Sequence, residues 1–258
     1  MPEKRAERTA VKTPGLVAEV VDQVALHELQ ADAAVLGLDL DDQQLLQLTQ
    51  FATLLLRWNR AFNIISRKDE SRLMTRHLLD SLTIAPWVLG PRVLDLGTGG
   101  GLPGVPLAIC HRDQHFTLLD RTQRKIRFVS QVKRALGLEN VEPVCGDVRE
   151  LSDGNLFDCI VSRAVADSET NWQLAAPRLR GGGRLLIMAS TRGGEGGASK
   201  EFPNQRKPSV HTRAIPALGA PEGSRYLTRE HLRIPGLNGA HRLDVLIRAA
   251  ESDMAERG

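Results

Sequence analysis

Residues Val93 to Ala108 read VLDLGTGGGLPGVPLA, with five glycines and two prolines set between an apolar run and a helical one. The run VLDL fits a strand buried on both faces, and GVPLA fits the first turn of a helix. Glycines between them supply backbone angles that other residues resist, and they leave no side chain between the backbone and whatever lies against it. A strand, a glycine turn and a helix are the opening unit of an open α/β sheet. In such sheets ligands bind outside the carboxyl ends of the strands, where the strand order reverses.

The pattern continues outward from this stretch. Downstream, HFTLLD (115–120), VEPVCGD (141–147), FDCIVSRA (157–164) and GRLLIMAS (183–190) read as strands. TQRKIRFVSQVKRALG (122–137) and SETNWQLAAPRL (168–179) read as helices, with a short helix near Val148 to Leu151. That alternation requires crossovers, so a mostly parallel sheet covered by helices on both faces is predicted. SVHTRAI (209–215) and HRLDVLIRAA (241–250) alternate as two further strands, which makes seven. Upstream, helical spacing predicts a helix over 16–36, a second over 39–65 and a third over 69–88 that ends around Pro86. The expected organisation is a charged, disordered lead-in over 1–15, a helical segment over 16–90, the sheet domain over 91–250 with a glycine-rich loop at 193–208, and a tail over 251–258.

Composition sets the bounds. The chain has 258 residues, of which 41% are hydrophobic and 25% charged, so it can bury one sizeable core. No apolar run approaches the roughly 20 residues of a membrane span, and the first 15 residues lack the apolar centre of a secretory signal, so a cytoplasmic protein is expected. Cys110, Cys145 and Cys159 have no C-x-x-C spacing, which argues against a disulfide framework and a structural metal. A net charge of +3 permits a nucleic-acid partner without requiring one.

The ligand of the glycine turn is narrowed by its neighbours. Gly99-x-Gly101-x-x-Gly104 matches the dinucleotide pattern, but Pro103 and Pro106 remove amide donors a pyrophosphate would use, and no G-K-[ST] follows. Asp95-x-Gly97-x-Gly99-x-Gly101 suits a ligand without phosphates, such as S-adenosylmethionine. Asp95 can attract its cationic end, and Asp120 can accept from ribose hydroxyls, a role shared with nicotinamide enzymes. Asp147 can accept from the adenine amino group while the amides of Val148 and Arg149 reach the ring nitrogens. Each acid alone also reads as a helix cap or a solvated loop residue.

Several segments together resemble one family. RWNRAFNIIS (57–66), RHLLDSL (76–82), the glycine stretch, HFTLLDRTQRKIRFV, LGLENVEPVCGDVREL and FDCIVSRAVA are similar, in that order, to the bacterial 16S ribosomal RNA guanine-N7 methyltransferases, the RsmG or GidB family. The resemblance runs from about Leu36 to Ile187. It implies a Rossmann-like class I methyltransferase fold, S-adenosylmethionine as cofactor, and 16S rRNA or the small ribosomal subunit as partner. It also implies cofactor contacts at Gly97, Leu102, Val148, Arg149 and Arg163. The chain departs at Ala189, Ser190 and Thr191, where the family commonly has a lysine.

The chemistry needs little equipment. No N-P-P-Y loop for an exocyclic amine and no Pro-Cys nucleophile for a pyrimidine carbon are present, whereas guanine N7 has an exposed lone pair at neutral pH. No general base is expected, and Arg163 is placed to align the reactants or to donate to guanine O6; its other reading is a salt bridge to Asp147 or Asp95. Basic residues cluster at Arg57, Arg60, Arg67, Lys68, Arg72, Arg76 and His77 and again at Arg121, Arg124, Lys125, Arg127, Lys133 and Arg134. Of these Arg67, Lys68, Arg76, Arg124, Lys125 and Lys133 are the expected RNA contacts. Trp58, Phe62 and Trp87 read as core or as stacking platforms, and His77 with Asp80 as structural anchors. A monomer is expected. Three alternatives stand beside this reading: another acceptor on the same fold, a non-catalytic RNA-binding factor, and a nicotinamide-dependent oxidoreductase.

Overall fold

The computed structural model describes residues 23–64, 77–163, 167–191, 224–232, 234 and 240–249. Among these, seven strands form one sheet: β1 (Arg92–Leu96), β2 (His115–Asp120), β3 (Val141–Cys145), β4 (Phe157–Arg163), β5 (Leu179–Thr191), β6 (Ser224–Leu232) and β7 (Ala240–Arg248). Their order is β3-β2-β1-β4-β5-β7-β6. The first five run parallel, and β7 and β6 close the sheet antiparallel. From β1 the chain steps outward to β2 and β3, then returns to β4 on the other side of β1. The direction of winding therefore reverses between β1 and β4, whose ends sit in register with Leu96 beside Ser162.

The helices are α1 (Gln23–Val35), α2 (Asp42–Phe62), α3 (Asp80–Leu82), α4 (Gly104–Cys110), α5 (Gln123–Leu136) and α6 (Ser168–Ala175). Both sheet faces are covered, as the near-continuous apolar β1 requires. Val93 joins α1, α2, α4 and α5 in one apolar cluster, while Leu94 and Leu96 point the other way, into a cluster with Trp172 of α6 and Val148. The N-terminal helices thus share a core with the sheet.

Helix α2 starts on a reciprocal cap in which Asp41 accepts from the Gln44 amide and the Gln44 side chain accepts from the Asp41 amide. Gln44 then turns inward and donates through Nε2 to the carbonyls of Ile109 and Cys110 at the end of α4, at 3.1 and 3.3 Å. One turn later Gln47 donates to the Leu136 carbonyl at the end of α5, at 2.9 Å. Asn140 satisfies three more carbonyls, those of Ala108, His111 and Gln114. The orphan carbonyls of two buried helix ends are in this way met by amide side chains.

Some boundaries differ from those read in the sequence. The first helix is described from Gln23 rather than residue 16. The first eight residues of the third predicted helix, 69–76, lie outside the described ones; from His77 onward it is a π turn, α3 and a 3-10 turn over Ala85–Trp87. β5 starts earlier than predicted, at Leu179. SVHTRAI and the 193–208 loop lie outside the described residues, and the sixth strand is Ser224–Leu232, SRYLTREHL. Its polar composition is that of an edge strand, which hides it from a search for apolar alternation.

Candidate functional site

The loop between β1 and α4 is held by its own amides. Gly97 and Thr98 both donate to the Leu119 carbonyl at 2.9 Å, and Gly101 and Leu102 donate to the Thr98 carbonyl. Gly99 donates to Asp120 Oδ2 at 3.0 Å, and Gly104, at the start of α4, donates to Asp95 Oδ2 at 2.8 Å. The glycines serve different needs. A Cβ on Gly104 would stand 2.5 Å from Asp95 Oδ2, so the helix start and the acid could not meet. At Gly99, where φ is +58, an added Cβ would meet only the Gly97 carbonyl at 3.9 Å and would project into open space at the crevice.

Asp95 is fully buried. Burial pushes its carboxyl up to about 6, against the pull of the nearby Thr98 hydroxyl, the Gly104 amide and the Arg163 charge. Its Oδ1 and the Thr98 hydroxyl lack a hydrogen-bond partner of good geometry among the described residues. Asp120 is also buried, which opposes its charge, but the Thr122 amide at 2.8 Å and the Lys125 ammonium at 3.2 Å hold it below the usual carboxylate range. Lys125, expected among the RNA contacts, is therefore paired with this acid.

Asp147 caps a 3-10 turn over Val148–Glu150. Its carboxylate accepts from the Arg149 side chain at 3.0 and 2.7 Å and from the Arg149 amide at 3.0 Å, and it pairs with Arg121 at 2.6 Å. Those Arg149 bonds, with the Arg121 charge, hold it far below the usual range. The Arg149 amide, expected to face a ring nitrogen, is thus engaged within the turn. Sequence reasoning missed Arg178, whose buried guanidinium donates to the carbonyls of Val148, Ser152 and Arg149 at 3.1, 3.1 and 3.0 Å and fixes the turn from behind. A cavity of about 460 Å³ opens beside it, between this turn and α6.

Arg163, at the end of β4, pairs with neither Asp147 nor Asp95. Its Nη1 lies 3.3 Å from His77 Nδ1 and 3.7 Å from Asp80 Oδ2. The other Asp80 oxygen meets His241 Nδ1 of β7 at 3.1 Å. The described part of the RHLLDS segment, from His77 onward, thus meets the arginine itself. That link joins segments far apart in the chain, so no local spacing announces it.

Helix α5 turns Ile126, Phe128, Val129, Val132 and Leu136 inward and leaves Arg124, Arg127 and Arg134 exposed, with Lys133 half-buried. Trp58 packs on Phe128 and Phe62 at 5.3 and 5.0 Å, and Trp87 is buried. Phe62 stays at the surface, with the Arg124 guanidinium 5.8 Å from its ring centre. Arg67, Lys68 and Arg76 lie outside the described residues. Among the described residues no helix is long and apolar enough to cross a membrane, and no group of three His, Cys, Asp or Glu is placed to hold a metal ion.

The profile of the GidB family, rRNA small subunit methyltransferase G, matches residues 44–213. A ribosomal RNA small subunit methyltransferase G from Methylococcus capsulatus is 43% identical over 164 residues, 64% of this chain and 80% of that one. One from Serratia proteamaculans is 38% identical over 195 residues, 74% of this chain and 91% of that one. Another from Saccharophagus degradans is 48% identical over 140 residues, 54% of this chain and 63% of that one.

Proposed function

This chain belongs to the GidB family of rRNA small subunit methyltransferases, and from that premise we propose that it moves a methyl group from S-adenosylmethionine to N7 of a guanine in 16S rRNA. The observation that carries the reading is the β1–α4 loop at the sheet's reversal point, with one acid beneath it and a second tied to its middle amide. The residues fit the cofactor: the space over Gly99 is open where a side chain would project, and two acids, Asp95 beneath the loop and Asp120 beside it, suit a ligand that carries a sulfonium and an ammonium. Bound there, the cofactor supplies an electrophilic methyl group.

In this reading Gly97, Gly99, Gly101 and Leu102 line the methionine part. Asp120 accepts from the ribose, and Asp147 with the Val148 amide meets the adenine edge. Asp95, being fully buried, acts on the cationic end through its field rather than by contact. Arg163 holds the acceptor base. Attack by the N7 lone pair forms the N–C bond as the S–C bond breaks with its electron pair returning to sulfur, so no proton need leave and no general base is required. Arg124 and Lys133 of α5, with Arg67, Lys68 and Arg76, contact phosphates. The protein works as a monomer in the cytoplasm.

The test is transfer of labelled methyl to 16S rRNA, naked or in small subunits, from a strain lacking the gene for this protein. Borohydride reduction and aniline should then cleave the product at the modified guanine, because N7 methylation leaves a positively charged, reducible ring. Label that resists cleavage would mean another acceptor atom, and no transfer at all would point to a binding factor.

A further inference from the structure

We propose that Asp80 is a positioning residue for methyl transfer, holding Arg163 in the orientation that meets the acceptor base and offsetting its charge. The inference rests on the methyltransferase reading above. Three segments far apart in the chain converge here: the end of β4, the helical turn at 77–82 and the start of β7. Asp80 lies between the other two, with Oδ2 toward Arg163 at 3.7 Å and Oδ1 on His241 Nδ1 at 3.1 Å. His77, one turn earlier, faces the same guanidinium nitrogen at 3.3 Å. That turn is itself braced, since the Ser81 hydroxyl donates to the His77 carbonyl at 2.6 Å.

His241 stands opposite Ser190 in the sheet register, near the carboxyl end of β5, so the network spans the crevice side of β4, β5 and β7. Partners on one NH group fix the plane of a guanidinium fork and hence the direction of its other donors. Charge gives a second reason. Methyl transfer moves the positive charge from the cofactor's sulfur onto the base, and an uncompensated guanidinium beside that base would oppose it. The Asp80 carboxylate, together with the buried Asp95 that also interacts with this charge, reduces the opposition without touching the reacting atoms.

The test compares single-turnover transfer to 16S rRNA, S-adenosylhomocysteine affinity by calorimetry, and melting temperature for the native protein, Asp80→Asn, Arg163→Ala and the double variant. Asp80→Asn should slow transfer about 10- to 100-fold with cofactor affinity within about twofold, and it should add nothing in the Arg163→Ala background. A native rate in Asp80→Asn, or losses that multiply in the double variant, would overturn the proposal. If Asp80→Asn does not fold, His241→Phe, which frees one oxygen only, should give a smaller loss of rate at unchanged cofactor affinity, and an unchanged rate there overturns it equally. Failure of the native protein to methylate the RNA would instead sink the functional reading, so the two failures are distinguishable.

Discussion

Replacing Asp95 by Asn should stabilise the protein at neutral pH while weakening its cofactor site. The carboxyl rises from 3.8 to about 6 because burial disfavours its charge. A rise of about two pH units corresponds to about 3 kcal/mol. The sign follows from proton binding: between about pH 4 and 6 the folded protein holds this proton and the unfolded chain has lost it, so stability falls as pH rises through that window and is level above it. Asparagine keeps an oxygen for the Gly104 amide and carries no charge, so its contribution does not depend on pH. Urea unfolding of both proteins between about pH 4 and 7.5 should therefore show the native protein losing about 3 kcal/mol relative to the variant as pH rises. Calorimetry at about pH 7.5 should show weaker S-adenosylhomocysteine binding, because the proposed reading sets this buried anion near the cofactor's cationic end. A stability difference independent of pH would refute the reasoning, as would unchanged affinity.

Gly99→Val should abolish S-adenosylhomocysteine binding in calorimetry, because a branched side chain at φ +58 is strained and would fill the open space over the loop. Asp120→Ala should weaken the same binding by about 1 to 3 kcal/mol, since it removes the proposed ribose acceptor and releases the Gly99 amide; equal loss of RNA affinity in a filter-binding assay would contradict that division. Gln44→Leu should lower unfolding free energy by about 1 to 3 kcal/mol by stranding the carbonyls at the end of α4, as chemical denaturation would register. Charge reversal at Arg124, Arg127 and Lys133 should flatten the salt dependence of RNA binding and leave cofactor affinity alone, and an unaltered slope would reduce α5 to a solvated face.

Legibility in the sequence followed how local each signal was. Strands β1 to β4 and helices α4 and α5 were readable because a strand buried on both faces is a short apolar run and an amphipathic helix repeats within a few turns. That acids follow β2 and β3 is readable too, since Asp120 ends the first of these strands and Asp147 comes two residues after the second. What escaped was set by tertiary contact. Arg178 looks like any arginine after Ala-Pro, and only the fold brings three carbonyls to its guanidinium. Lys125 reads as part of a basic face, but it stands in the first turn of α5 and reaches back to the acid at the end of β2. For Arg163 the crevice acids Asp95 and Asp147 are the ion-pair candidates on sequence grounds, yet His77 and Asp80, which meet it, come from a segment that precedes the sheet. The edge strand β6 lacks the apolar alternation that marked its neighbours.

The two glutamines of α2 bear on how such an enzyme could be retargeted. A natural strategy for new specificity is to graft a different recognition segment onto a constant cofactor-binding body. Here the seam does not fall where the sheet begins, because Gln44 and Gln47 complete helices that lie on the far side of it. A chimera cut just before β1 would leave α4 and α5 with bare carbonyl ends and an uncovered apolar face. A donor segment could replace α2 only if it brought amide donors at the same spacing, one turn apart on the inward face.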